Sequence, residues 1–222
     1  MGIWFTSDEH YGHRSIIQFC KRPFTNTEEM QEVMIENHNK LVKAGDLVYH
    51  LGDMFWRSHT VEQAISIRQR LTGNHYYING NHEELFRHKI LRDQFVWCKD
   101  TFNLKVAGYP NIWLSHYAHE DWNGSHRGAY HLFGHIHGAR PNPVGLKMDV
   151  GVDLHGFSPV SFDYVTSVLG KKAELVLIHY WSCENVECKN KFNAVDHEPK
   201  ICSKCGSGMK LMKKLEGTNQ NG

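Results

Sequence analysis

The sequence predicts an α/β fold with a small cysteine-rich module appended to its C-terminal end. Three observations carry this expectation. Residues 1–181 alternate short β-type runs with segments of helical periodicity. The clusters of strongly polar residues follow predicted strands, where open α/β sheets place their ligand sites. Four of the six cysteines crowd together near the C-terminus.

The elements follow in order. Residues 3–7 form a short β-type run that ends at Asp8. Residues 26–42 are expected to be helical, with Met30, Val33, Met34 and Leu41 on one face and Thr25-x-x-Glu28 as a capping box. Residues 47–51 make a second strand, ending at Gly52-Asp53. Val61, Ala64, Ile65, Arg68 and Leu71 mark a second helix closed by Gly73. Residues 75–78 make a third strand, followed by Asn79-Gly80-Asn81-His82. The second half is richer in β structure. Residues 102–106 and 111–114 flank Gly108-Tyr109-Pro110 and read as a hairpin whose second strand runs into Ser115-His116. Residues 131–133 lead into Gly134-His135-Ile136-His137. Further strands are expected at 147–150 and 174–180, around a helix from about 161 to 169 with Gly170 as its C-cap.

Composition narrows the function class. The 222 residues suit one sizeable domain plus an appendage, and a hydrophobic fraction of 41% supports an ordinary core. A formal net charge of +1 gives no general argument for a nucleic-acid-binding surface. Histidine stands out with 17 copies, and it is both the commonest metal ligand and the usual acid–base group near neutral pH. No signal peptide precedes the first strand and no apolar run reaches membrane-spanning length, so a cytoplasmic protein with no membrane association is expected.

Asp8 and His10 are separated by one residue, so on an extended segment their side chains point the same way, and His135 and His137 repeat that spacing. Asp53 follows a glycine as a lone carboxylate suited to bridging two cations. Asn81 offers a neutral oxygen and His116 an imidazole. The ordered set is Asp-x-His, Gly-Asp, Gly-Asn-His-Glu, His and Gly-His-x-His. Any one of these strings arises by chance, whereas all five in order make a specific signature.

In this set the chain resembles the calcineurin-like metallophosphoesterases over roughly residues 3–169. The flanks Phe5-Thr6-Ser7-Asp8, Val48-Tyr49-His50-Leu51-Gly52-Asp53 and Asp149-Val150-Gly151-Val152-Asp153 resemble small bacterial and phage members. The resemblance implies an α/β/β/α sandwich of two packed sheets with helices outside. It implies that Asp8, His10 and His137 hold one divalent ion and Asn81, His116 and His135 a second, with Asp53 between them. Oxygen and imidazole donors suit Mn, Fe or Zn, and the resemblance implies Mn, Ni or Fe/Zn. Two such ions lower the pKa of a water and draw charge from a phosphoryl group. His82, beside the ions without binding either, is then the general acid for the leaving oxygen. Glu83 follows it, and which carboxylate orients His82 stays open. His13 and Arg14 follow the first metal loop and are candidate phosphate contacts. Phe55 and Trp56 either line the substrate mouth or belong to the core. His119, His126, His131, Arg140 and His155 are read mostly as surface positions or supports for the ligands.

Cys183-x4-Cys188 and Cys202-x2-Cys205 give two thiol pairs that suit one tetrahedral structural Zn, as in a zinc ribbon. A module with so few large apolar residues needs such a staple; disulfides or a redox pair are the other readings. The expected organisation is a binuclear metal domain at 1–181, the four-cysteine module at 182–214 and a polar tail at 215–222. The expected function is hydrolysis of phosphate esters, with a phosphodiester of a nucleotide or nucleic acid favoured. The alternatives are a phosphomonoesterase, acting on nucleotides or proteins, and a non-enzymatic zinc-ribbon nucleic-acid-binding protein with a vestigial site.

Overall fold

Three short strands rich in β-branched and aromatic residues open the fold. In the computed structural model, β1 (Ile3–Thr6), β2 (Leu47–His50) and β3 (Asn74–Ile78) pair in parallel, with Phe5 opposite Tyr49 and Tyr49 opposite Tyr76. β4 (Cys98–Lys99) extends the sheet beyond β3 in parallel, and β9 (Val160–Ser161) closes the other edge antiparallel to β1, giving the order β4-β3-β2-β1-β9. A second sheet has the order β5 (Thr101–Leu104), β6 (Ile112–Ser115), β7 (Tyr130–Phe133), β8 (Lys147–Asp149). Its first pair is the expected antiparallel hairpin, and β6, β7 and β8 run parallel. The fold is therefore mixed α/β with two mostly parallel sheets.

The structure describes residues 1–140, 143–175, 179–183, 191–194, 200–201 and 208–213, the last four segments as backbone strands. The chain divides into two compact units, Met1–Leu169 and Gly170–Gly222. In the second, β10 (His179–Cys183), β11 (Lys191–Ala194), β12 (Lys200–Ile201) and β13 (Gly208–Lys213) form an antiparallel sheet ordered β11-β10-β13-β12. Cys183 is described only as the last residue of β10. Cys188, Cys202 and Cys205, and with them the expected zinc site, lie outside the described residues, as does the tail 215–222.

Two cores hold the first unit together. Strand alternation sends Phe5, Tyr49 and Ile78 into one core, which also takes Ile112, Leu114, Leu132 and Met148 from the second sheet and Val165 and Leu169 from a helix. Tyr77 alternates to the other face and joins a second core with Met30, Met34, Ala64, Ile67, Phe86 and Leu91. The helices behind this second core are α1 (Arg14–Phe19), α2 (Thr27–Leu41), α3 (Val61–Arg70) and α4 (Lys89–Arg92). The ligand-bearing loops leave strands that both cores hold rigid.

Some boundaries differ from expectation. The cap of α2 is Asn26, whose side chain accepts the Glu29 N–H at 2.8 Å, while the Glu29 carboxylate takes the Thr25 N–H at 2.7 Å. The reciprocal cap thus lies one residue beyond the Thr25–Glu28 pairing. α5 (Phe162–Leu175) runs through Gly170 instead of stopping there. A mid-helix glycine costs roughly 1 kcal/mol, and Val165 and Leu169 are buried on the turns before it. Of the expected strand at 174–180, residues 174–175 end α5, 179–180 begin β10, and 176–178 lie outside the described residues. Among the described residues no helix is long and apolar enough to cross a membrane.

Candidate metal centre

The predicted ligands converge on the ends of β1, β2, β3, β6 and β7. Asp8, His10, Asp53 and His116 form a buried floor, each no more than 2% exposed, while His137 is partly exposed and Asn81 and His135 are exposed at the rim. The donor atoms of Asp8, His10 and His137 lie within 4.8 Å of one another, and so do those of Asp8, Asp53 and His116. Asn81 Oδ1 is 2.9 Å from His116 Nε2. The His135 ring centroid is 5.1 Å from that of His116, but His135 joins neither close group.

The convergence has a different local cause from the one the spacing suggested. Asp8 (φ 59°), His10 (52°), His135 (70°) and His137 (46°) are left-handed, not extended, and so is Asp53 (56°). Among the described non-glycine residues seven have positive φ, and these five are all proposed ligands. Such backbone costs on the order of 1 kcal/mol per residue and persists where the surroundings enforce it. Hydrogen bonds enforce it here. Asp8 N–H donates to Gly52 O and His10 N–H to Asp53 O, at 3.1 and 3.0 Å. The His135 N–H donates to the Asp8 carboxylate at 2.9 Å. Asp53 Oδ1 accepts the Asn81 and His82 N–H groups, both at 2.9 Å, which leaves Oδ2 facing His10 and His116 at 3.7 and 3.5 Å. Gly134 and Gly80 are required by close approach: a Cβ on the first would collide with Ser7 and Asp8, and on the second with Asp53.

Hydrogen bonds also turn donor nitrogens inward. His116 Nδ1 lies 2.7 Å from Leu51 O, so in the neutral ring a proton held there leaves the lone pair on Nε2. His137 Nδ1 lies 2.8 Å from Asp153 Oδ2 with the same consequence. Both ring nitrogens of buried His10 have no hydrogen-bond partner. An orphaned buried imidazole between two carboxylates is costly unless something binds it.

The charges point the same way. Burial pushes the Asp8 carboxyl up to about 7 and the His10 imidazole down to about 2. Burial also raises Asp53, but the His116 hydrogen bond and the neighbouring imidazoles outweigh it and hold that carboxyl below its usual value. Burial lowers His116, yet its bond to Asp53 and the charges of Asp8 and Asp53 raise it overall. A cation at this point would offset the cost of burying Asp8 and use the free His10 lone pair. The donor set, carboxylate, amide and imidazole, fits a divalent transition ion.

Around the floor lies a cavity of about 510 Å³, lined by His10, His13, Asp53, Trp56, Asn81, His82, His135 and His137, with Ile16, Phe19 and Cys20 on one side. His13 is brought to it, stacked on Trp56 at 3.6 Å between ring centroids and an interplanar angle of 5°. Arg14 is exposed and does not line it. Phe55 is core and Trp56 is mouth, so the aromatic pair divides between the two expected roles. The ring of His82 stands edge-on to Trp56 at 4.7 Å. Glu83 does not orient it: that carboxylate accepts Gly80 N–H at 2.6 Å, Tyr77 O–H at 2.9 Å and Asp53 N–H at 3.3 Å. His131 is wholly buried, held by Trp113 O and His119 N, and His155 bonds Asp149 O.

Sequence reading missed the support beneath the floor. Buried Arg22 donates to Asp153 twice at 2.8 Å, to Asp8 O at 2.8 Å and to Glu9 O at 2.9 Å. It thereby ties the backbone of the first metal loop to the carboxylate that orients His137. Burial raises Asp153, but the bonds from His137 and Arg22 prevail and keep it ionised. Cys20, which stands alone in sequence, lies within 4.8 Å of donor atoms of His137 and Asp153. Burial pushes its thiol up to about 11. Glu9 points away from the centre and bonds His50 at 2.7 Å, which in turn meets His75 at 2.8 Å. A basic residue between two predicted elements was the one available signal for Arg22.

No protein-family model matches the chain. It is similar to an uncharacterised protein of Methanocaldococcus jannaschii, 29% identical over 177 residues that cover 76% of this chain and 92% of the relative. Its fold resembles that of a protein of unknown function from Aquifex aeolicus, with a TM-score of 0.62 and 22% identity, covering 75% of this chain and 98% of the other. The second likeness concerns the fold alone.

Proposed function

We propose that the chain is a metal-dependent phosphoesterase of the calcineurin-like type, and that a phosphodiester of a nucleotide or nucleic acid is its substrate. The observation that carries this reading is the buried floor of two carboxylates and two imidazoles, with His10 unpartnered and Asp53 Oδ2 facing both rings. Asp8, His10 and His137 would hold one divalent ion and Asn81, His116 and His135 another, with Asp53 shared. Bound there, such ions supply Lewis-acid charge for the phosphoryl oxygens and an activated water. The finer architecture we propose is the sandwich of that family, with the four C-terminal cysteines holding a structural Zn.

The chain's own groups do the rest. The Asn81 and His82 N–H groups fix one oxygen of Asp53, so the other keeps its aim as charge develops. His82 lies at the cavity wall and donates a proton to the leaving oxygen. Its orientation comes from the Trp56 edge, since Glu83 is committed elsewhere. Trp56 in turn is held by the stacked His13 and by its own N–H to Tyr11 O at 2.9 Å.

The test is hydrolysis of bis-p-nitrophenyl phosphate and p-nitrophenyl phosphate by the metal-free and Mn²⁺-loaded protein. Metal-dependent turnover of the diester is expected. Turnover of the monoester alone would replace the diesterase with a phosphomonoesterase, and turnover of neither would remove the reading.

A further inference from the structure

A second cavity, of about 430 Å³, adjoins the metal centre, and Asn81 lines both. Its wall is built by the 3-10 turn Leu85–Arg87 and by α4. Two buried side chains pin this stretch to the core. Phe86 stacks on Tyr77 at 3.9 Å, and Leu91 is fully buried. Arg87 and Arg92 are left exposed at the cavity on a backbone that cannot easily move.

Four arginines elsewhere in the unit are engaged, and these two guanidiniums differ from them. Arg22 and Arg70 pair with carboxylates, and Arg57 and Arg68 lie over aromatic rings. Arg87 and Arg92 form no ion pair among the described residues. Glu83 also lines the cavity, but its oxygens are bound by Tyr77 and by two backbone N–H groups. Glu84 lines it as well, so the two guanidiniums share the wall with two carboxylates, of which Glu83 has both oxygens engaged.

We infer that this cavity binds a second phosphate group of the substrate, adjacent to the ester at the metal centre. The inference rests on the phosphoesterase reading and narrows it. A planar guanidinium fork matches phosphate oxygens, and two of them at one wall form a clamp. An ester with a single phosphate leaves the clamp empty. The substrate class is then a nucleotide chain or a nucleoside ester carrying a further phosphate, in preference to a cyclic mononucleotide.

The experiment compares two chromogenic diesters, the 5′-p-nitrophenyl phosphate of thymidine with and without a 3′-phosphate, on the full-length Mn²⁺-loaded protein. At low salt the ratio of kcat/KM should favour the 3′-phosphorylated ester by roughly tenfold. It should shrink as salt is added, because the clamp is solvent-exposed. In R87Q/R92Q the ratio should fall towards one, and R87K/R92K should keep part of it. A wild-type ratio near one, or a ratio untouched by the double substitution, would overturn the inference while leaving the phosphoesterase reading in place. Failure to hydrolyse either ester would instead remove that reading, and the subsite with it.

Discussion

Arg22→Met is the most informative single perturbation of the support beneath the metal floor. The substitution keeps a long apolar stem but deletes five hydrogen bonds, two to Asp153 and one each to Asp8 O, Glu9 O and Met30 Sδ. Arg22 is only 4% exposed, so solvent replaces little of what is lost. Removing one partner of a buried ion pair costs roughly 3–5 kcal/mol, because the remaining charge is stranded. For a domain of this size that is a fall in Tm of roughly 10 °C. The second effect is on metal. Without Arg22 the Asp153 carboxyl rises, its hold on His137 Nδ1 weakens, and Mn²⁺ affinity should drop about 10–100-fold. Thermal unfolding and a Mn²⁺ titration of activity measure the two effects separately. In the double variant Arg22→Met/Asp153→Leu the stability loss should be smaller than the sum of the single losses, because no stranded charge remains. An Arg22→Met protein with wild-type Tm and Mn²⁺ affinity would refute the reasoning.

Three further outcomes are expected. His82→Ala should cut kcat by about two to four orders of magnitude on a diester with an alkoxide leaving group, and much less on a p-nitrophenyl ester; Trp56→Ala should show the same leaving-group pattern with a smaller loss, and equal losses on both esters would end the acid role. Burial pushes the His38 imidazole down to about 4, whereas in the unfolded chain it titrates near 6.5. The unfolded state therefore binds a proton between these values that the folded state refuses, so the His38 contribution is full above pH 6.5 and is lost towards pH 4, amounting to about 3 kcal/mol, and His38→Gln should lessen by that share the slope seen in urea unfolding. Mild chelation should remove activity while Zn stays with the protein, and Cys202→Ser/Cys205→Ser should release that Zn, whereas metal analysis showing both lost together would unite the two sites.

Much of the site was legible because strand ends are legible. Short β-type runs at β1, β2 and β3 end just before Asp8, Asp53 and Asn81, and a carboxylate or histidine after a strand is a strong local signal. Backbone handedness was not legible. Asp-x-His looks the same in sequence whether extended or left-handed, and the hydrogen bonds that impose φ 59° on Asp8 come from residues more than forty positions away. Arg22 and Asp153 lie 131 positions apart, so neither predicts the other from one sequence. Gly170 was read as a stop because glycine is a weak helix former, yet α5 continues past it to Leu175.

The central claim is that this floor binds a pair of divalent ions that share Asp53. It is tested most directly by counting Mn²⁺ bound to wild-type protein and to Asp53→Asn while following hydrolysis of bis-p-nitrophenyl phosphate. Two Mn²⁺ per wild-type chain at the oxygen and nitrogen site are predicted, with both weakened and turnover abolished in a folded Asp53→Asn variant. Wild-type stoichiometry and near-wild-type turnover in that variant would contradict the shared-ligand arrangement and the function built on it.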